Sequence, residues 1–364
     1  MANTIVEMIE QDQNIYLIPP YLDEKTSESL MTIWKNLKLR NHVFLCSSGT
    51  SSGTRIKSYA LSKDALFANA RAVNEFLNVT SNDVWMQSLP SYHVGGLSII
   101  FRTIAANNKR VEWYSKWNPF KFYEFLLSEN INYCSIVPTQ LYDLVKNKLS
   151  SPPGLKGIFV GGDFMSEALA NKALQLNWPI IQTFGMTEVC SQLASSYYQN
   201  INNGLLDILP VHNVFSDNEN FRVFSPCLFT CEITWDGENV SIRNSDPEGF
   251  IIPDEIFLSD TKLRPLGRKG SEVKIKGRLY NFLDLKNRVD QFLINENIKE
   301  YIELTLVSDE REGAKLNILV LRSINLSECD ILKGINNYLP KPLQLKKVEY
   351  IDKFNRTALG KIKL

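Results

Sequence analysis

Hydrophobic and polar positions follow two alternating periods through the first half of the chain. After Ser62, the apolar residues Leu66, Ala70, Val73 and Leu77 recur at helical spacing, with Ser62 placed to cap the helix. Residues 84–89 then read as a strand. Asn118-Pro119 supplies an N-cap and a first-turn proline before FKFYEFLL. Residues 132–137 form a short apolar run bounded by Pro138, and Thr139 is placed to cap QLYDLVKN. Residues 155–160 run into Gly161-Gly162, Ser166 can cap EALANKALQL, and 179–184 is the next strand. Strands separated by helices of this length need crossover connections, which predicts a mostly parallel sheet.

The pattern changes after about residue 190. Between 205 and 265, short strand-like runs (FRVFS, LFTCEITW, NVSIRN, GFIIP) alternate with turn signals such as Asp236-Gly237 and Asp246-Pro247, predicting a small, largely antiparallel β subdomain. From about 269 a hairpin-like piece (EVKIKGRLYNF) leads into a helix, two paired strands, a second helix and a last strand (KKVEYID). The predicted fold is therefore α/β. A large N-terminal domain, 1–268, has mostly parallel sheets flanked by helices plus the antiparallel subdomain, and a small α+β C-terminal domain spans 269–364.

Composition narrows the function. Lys and Arg number 40 against 40 Asp and Glu, so no basic surplus exists to neutralise nucleic-acid phosphates or anionic lipid. His42, His93 and His212 are the only histidines and are far apart, and the six cysteines contain no Cys-x-x-Cys pair, so no zinc-ligand spacing is present. Most of the cysteines sit in apolar runs, as reduced thiols of a cytoplasmic protein would. The N-terminus has no secretory signal pattern, and no apolar run reaches membrane-spanning length. The expectation is a cytoplasmic protein with small-molecule partners, no nucleic acid and no membrane span. Nothing in the sequence sets its oligomeric state.

Four segments carry candidate chemistry. Residues 46–57 (CSSGTSSGTRIK) combine small residues, which let the backbone approach an anion, with hydroxyls, Arg55 and Lys57. A Ser/Gly linker would look the same, and the spacing is not that of a Walker loop. Residues 89–97 (LPSYHVGGL) put His93 at the carboxyl end of a predicted strand, where open α/β sheets bind ligands, with Arg102 nine residues on. A satisfied core histidine is the plain alternative. QTFGMTE, 182–188, presents a hydroxyl and a carboxylate together; Glu188 is a natural Mg²⁺ ligand beside a phosphate site, or simply part of a helix cap. NRTALGKIKL, 355–364, reads by itself as a solvated basic tail.

In this order the segments resemble the acyl-adenylate-forming enzymes (acyl-CoA synthetases, peptide-synthetase adenylation domains and luciferases) over about 43–364. CSSGTSSGTRIK is similar to that family's phosphate loop and FGMTE to its Tyr-Gly-x-Thr-Glu motif. Leu258-Ser259-Asp260-Thr261 resembles its Thr-Gly-Asp motif, Gly267-Arg268-Lys269 its hinge entry, and NRTALGKIKL its Arg-Thr-x-x-Gly-Lys terminus. SLPSYHVGGLSIIFR and SIVPTQLYDLV look most like a short o-succinylbenzoate–CoA ligase of menaquinone biosynthesis.

The resemblance implies an AMP-forming acid–thiol ligase using ATP, Mg²⁺ and CoA. It implies that 1–268, shortened at its N-terminus, is the adenylation domain and that 269–364 is a mobile domain carrying the catalytic Lys361. It further implies that Glu188 holds the metal and Thr187 donates to the α-phosphate, while Ser48, Gly49, Thr50, Ser51, Ser52, Gly53 and Lys57 handle the outer phosphates. Asp260 and Arg268 would bind the ribose, Phe184 would stack on adenine with Gly185 beside it, and Gly161 and Gly162 would leave room for the base. His93 and Gly95 would face the acyl carboxylate, with Arg102 on a distal carboxylate and Thr139 and Gln140 lining that pocket. Four positions depart from the family pattern: an extra Ser in the phosphate loop, Phe184 for Tyr, Ser271 for the hinge Asp, and Lys276-Gly277-Arg278 for Gly-Gly-Glu. Two alternatives stay open: an adenylating ligase for another carboxylate or a carrier thiol, and a non-catalytic nucleotide-binding homologue.

Overall fold

The computed structural model describes residues 2–47, 55–113, 115–161, 165–217, 220–268, 272–275, 278–309 and 313–354. Its centre is a nine-stranded sheet. Five neighbouring strands run parallel, in the order Lys109–Glu112, Val84–Gln87, Tyr133–Ile136, Gly157–Val160 and Ile180–Met186. The helices Val94–Ala106, Pro119–Ser128, Pro138–Lys146 and Glu167–Gln175 make the crossovers between them, as the strand–helix alternation predicts. Ser62, Asn118 and Ser166 cap their helices through side-chain oxygens. Thr139 does not cap: Pro138 opens its helix, Val137 is the N-cap residue, and the Gln140 side chain turns back to accept from the Val137 N–H at 3.0 Å.

The antiparallel strands of 205–265 are shared among three sheets. Leu206–Ile208, Lys262–Arg268 and Asp254–Ser259 extend the central sheet beyond Ser191–Tyr197. Cys231–Trp235 and Val240–Asn244 extend a second sheet that begins with Ile15–Leu17, His42–Cys46 and Ile56–Ser62. Asn213–Asp217, Asn220–Phe224 and Phe250–Ile251 form a third.

The helix Lys63–Leu77 buries Leu66, Ala70, Val73 and Leu77. Leu66 and Ala70 share a core with Leu45, Tyr59, Leu193 and Phe229, so this core joins the second sheet to the central one. A second core lies under the crossover helices. Residues 272–351 carry a further sheet, made of Arg278–Asn281, Glu272–Ile275, Gly313–Leu321, Ile302–Asp309 and Glu349–Ile351, with its own core around Val289, Ile318 and Ile331. Among the described residues no helix is long and apolar enough to cross a membrane. Five cysteines are buried; burial pushes the Cys46 thiol up to about 12 and Cys227 to about 11, which suits packing rather than reactivity.

Candidate active site

The parallel strands end along one edge of the central sheet, and several of the expected site residues stand there. Four strand ends lead respectively into the turn before His93, into Val137-Pro138, into Gly161, and through Gly185 into Thr187 and Glu188. The pairing register places the Ser259–Lys262 turn, with Asp260, at the same end of the sheet. Asp260 is exposed and adopts a left-handed backbone (φ 48°), which Asp tolerates. The loop expected to bind phosphates closes the hairpin between His42–Cys46 and Ile56–Ser62. Its last rung is the Ser47 N–H donating to Lys57 O at 2.9 Å.

Two glycines are fixed by close backbone approach. A side chain on Gly96 would put Cβ 2.2 Å from Pro90 O, and one on Gly185 would put it 2.0 Å from Ser191 O. Gly185 does not end its strand. It pairs with Gln192 while Phe184 pairs with Ala194, so the extra residue of the bulge is Leu193 on the partner strand Ser191–Tyr197. The strand continues to Met186, and a single 3₁₀ turn, Thr187–Val189, then carries Glu188. Cys190 and Ser191 follow at φ 60° and 133°, a costly backbone for residues other than glycine.

Three residues hold that turn. The buried Asn69 side chain donates to Val189 O (3.1 Å) and Gln192 O (2.7 Å), Phe229 N–H donates to Glu188 O (3.0 Å), and Ser191 Oγ meets Ser98 Oγ (3.3 Å). The Ser98 contact ties the Glu188 turn to the helix that starts after His93.

Around Glu188 lies a compact charge cluster. Tyr59 Oη donates to Glu188 Oε1 at 2.6 Å and lies 3.1 Å from Glu232 Oε2. Lys57 Nζ is 2.7 Å from Glu232 Oε2 and 3.9 Å from Glu188 Oε1, and Arg243 Nη2 is 3.1 Å from Glu232 Oε2. Burial, followed by the two carboxylates, pushes the Tyr59 phenol far above its ordinary range, so it stays a hydrogen-bond donor. Burial alone would raise Glu232; the hydrogen bond and charge of Lys57, helped by Arg243 and Tyr59, outweigh it and hold Glu232 below the usual glutamate value. Tyr59, Glu232 and Asn69 were not singled out from the sequence. Tyr59 had a local signal, since it lies two residues beyond Lys57 on the same strand face. Glu232 had none, because it arrives through pairing of Cys231–Trp235 with Ile56–Ser62, opposite Tyr59.

Glu188 fits a divalent cation. Its Oε1 is fixed by Tyr59, no described residue bonds Oε2, and the side chain keeps 13% of its surface exposed. Magnesium is commonly held by one or two carboxylates together with substrate phosphates.

Arg102 differs from the pocket-lining residue expected. It is 1% exposed, lies under the rings of Trp85 and Phe159 at 5.4 and 5.3 Å, and has no carboxylate within ion-pair reach among the described residues. Its Nε lacks a hydrogen-bond partner, and burial lowers the guanidinium to about 9. Thr139 is exposed, and Gln140 is occupied as a cap. Gly161 packs so closely that a Cβ would lie 2.8 Å from Thr183 Cγ2. His93 is half-buried against Tyr92, with ring centroids 4.6 Å apart. Ser48, Gly49, Thr50, Ser51, Ser52, Gly53, Gly162 and Lys361 lie outside the described residues, as does the side chain of Arg268.

Residues 40–208 match the AMP-binding enzyme family. The 2-succinylbenzoate–CoA ligase of Staphylococcus aureus (strain MSSA476) is 35% identical over 130 residues, 36% of this chain and 26% of that enzyme. The matched segment thus spans about a quarter of that relative's length. The o-succinylbenzoate CoA synthetase of Bacillus subtilis, in complex with its acyl-adenylate intermediate, superposes with a TM-score of 0.74 at 16% identity, covering 100% of this chain and 80% of that one. ATP-bound MatB from Rhodopseudomonas palustris gives 0.69 at 20% identity, covering 88% and 66%. Residues 40–208 of this chain thus match the AMP-binding enzyme family, and the chain shares its fold with these two solved proteins.

Proposed function

We propose that the chain is an ATP-dependent acid–CoA ligase that works through an acyl-adenylate, with o-succinylbenzoate as its acid. One observation carries the reading: Glu188, at the carboxyl end of the parallel strands, accepts from Tyr59 and lies 3.9 Å from Lys57, which follows the loop expected to bind phosphates. In the first half-reaction a carboxylate oxygen attacks the α-phosphorus of ATP. The α–β bridge breaks, and pyrophosphate leaves with the bonding electrons. In the second, the CoA sulfur attacks the acyl carbon, AMP leaves, and the thiol proton passes to solvent.

Both steps need donors gathered around developing phosphate charge. Lys57 and the hydroxyls of 48–53 meet the outer phosphates, and Thr187 and Lys361 meet the α-phosphate. Phe184, Asp260 and Arg268 hold the nucleoside, and His93 orients the acyl carboxylate. Glu188 would hold Mg²⁺, which when bound neutralises phosphate charge. Arg102, read from the sequence as the cation for the second carboxylate of the acid, would have to leave its packing under Trp85 and Phe159 to reach it. The domains divide at 268/269, and the unit from 269 onward moves to deliver Lys361 for adenylation. The protein works in the cytoplasm on small molecules.

ATP–pyrophosphate exchange across a panel of carboxylates tests the reading. Exchange dependent on o-succinylbenzoate, lost in Lys361→Ala, is the expected result. Exchange only with benzoate or a fatty acid would reassign the substrate, and nucleotide binding with no exchange for any acid would overturn the ligase reading.

A further inference from the structure

We propose that Glu232 is a positioning residue that holds Lys57 away from Glu188 and so keeps Glu188 available to a divalent cation. The inference rests on reading Glu188 as the cation's carboxylate. The cluster sets two cations, Lys57 and Arg243, against two carboxylates, Glu188 and Glu232, with the Tyr59 hydroxyl between the carboxylates. The sharing is uneven. Glu232 Oε2 receives Lys57 at 2.7 Å, Arg243 at 3.1 Å and Tyr59 at 3.1 Å, whereas Glu188 receives only Tyr59 closely, with Lys57 at 3.9 Å.

The Lys57 ammonium is thus already neutralised, by the carboxylate that does not follow the Thr187 turn. Without the Glu232 charge, Glu188 becomes the nearest acceptor and the 3.9 Å gap closes into a direct ion pair. A carboxylate bound to an ammonium is a poorer ligand for a second cation, because the two positive charges repel and compete for the same oxygens. Backbone geometry fixes the arrangement: Glu232 lies opposite Tyr59 in the antiparallel register, and Thr234 lies opposite Lys57. The strand pairing itself therefore keeps the Glu232 carboxylate beside the Lys57 strand.

The test uses the full chain with Mn²⁺ as the probe, its free ion measured by electron paramagnetic resonance in the presence of a non-hydrolysable ATP analogue. Glu232→Gln should weaken Mn²⁺ binding about tenfold, the scale seen when an outer-shell partner of a metal ligand is lost. Against a Lys57→Met background the same change should have no further effect, since there is no ammonium left to divert. Glu232→Asp, which keeps the charge and guards against a misfolded glutamine variant, should retain most of the binding.

Unchanged binding in Glu232→Gln would overturn the proposal. So would a tenfold loss that persists in the Lys57→Met background, because Glu232 would then touch the cation itself. Wild-type protein that binds the nucleotide but no Mn²⁺ would instead remove the reading of Glu188 on which the proposal stands.

Discussion

At the scale of single residues, the candidate site depends on side chains that hold its backbone in place. Asn69 is the clearest case. It leaves the inner face of the helix Lys63–Leu77, is fully buried, and bonds two carbonyls on either side of the strained pair Cys190 and Ser191. A backbone in that conformation persists only where its surroundings over-determine it. Asn69→Ala should therefore release the Glu188 turn. It leaves Val189 O without its donor, while Gln192 O keeps His212 at 2.8 Å. The expected cost is about 1–3 kcal/mol of unfolding free energy, the range for a buried group left unsatisfied. The proposed adenylation should slow by about tenfold or more through misplacement of Glu188. Urea unfolding and pyrophosphate exchange measure the two effects. Lost stability with an unchanged exchange rate would show that Asn69 supports the fold but not the site.

At the scale of elements, how much could be read from sequence depended on how local each cause is. The caps Ser62, Asn118 and Ser166 accept from backbone N–H groups within three residues of themselves, and all three were legible. Thr139 failed as a cap because Pro138, which fits the first helical position, shifts the cap back to Val137. The strands after 205 were legible one by one, but their assignment to three sheets was not, since partners such as Glu232 and Tyr59 are separated by 173 positions. The His93 turn is a local case with a sharp consequence. The helix Val94–Ala106 starts so tightly against Leu89 and Pro90 that a Cβ on Gly96 would strike Pro90 O at 2.2 Å and Leu89 O at 2.4 Å, backbone atoms that cannot swing aside. Gly96→Ala should cost about 1–3 kcal/mol or more by overpacking and should displace His93. Gly95→Ala, which meets only the flexible Leu89 Cδ1 at 3.3 Å, should cost clearly less. Thermal unfolding of the two variants side by side checks the contrast; equal losses would show that the turn does not depend on the Gly96 contact.

For the whole molecule, acid sensitivity and the seating of the C-terminal sheet follow from buried groups far from the reacting atoms. His212 joins the third sheet to the central one, with Nε2 donating to Gln192 O and Nδ1 against Ser225 Oγ, both at 2.8 Å. Burial lowers it from 6.5 to about 4. Between those values the unfolded chain binds the proton and the folded chain does not, so stability rises with pH through that window and is lost on acidification. The linked loss amounts to about 3 kcal/mol. Unfolding free energies from pH 7 to 4 should fall less steeply in His212→Gln than in the wild type.

Among the described residues the C-terminal sheet is seated through a turn and a helix end, and through Asn281 Nδ2, which donates to Leu266 O at 3.1 Å. Lys299, held by Asp290 at 2.6 Å and Glu303 at 3.0 Å, stiffens the turn Lys299–Tyr301. That turn presents Glu300 to Tyr142 Oη at 2.7 Å and to the Lys146 ammonium. Beside it, Lys172 Nζ donates to Ile294 O at 2.6 Å, and Ile294 is buried in the core under the crossover helices. Glu300→Ala removes the acceptor of both Tyr142 and Lys146. Because Lys146 and Glu300 remain partly exposed, the loss of docking free energy should be about 1 kcal/mol. A change of that size leaves both cores folded but opens their contact more often. Backbone hydrogen exchange should therefore quicken in Lys299–Tyr301 and Pro138–Lys146 while the central strands keep their protection. Unchanged exchange in both segments would assign the docking to Ile294 and Lys172 instead of Glu300.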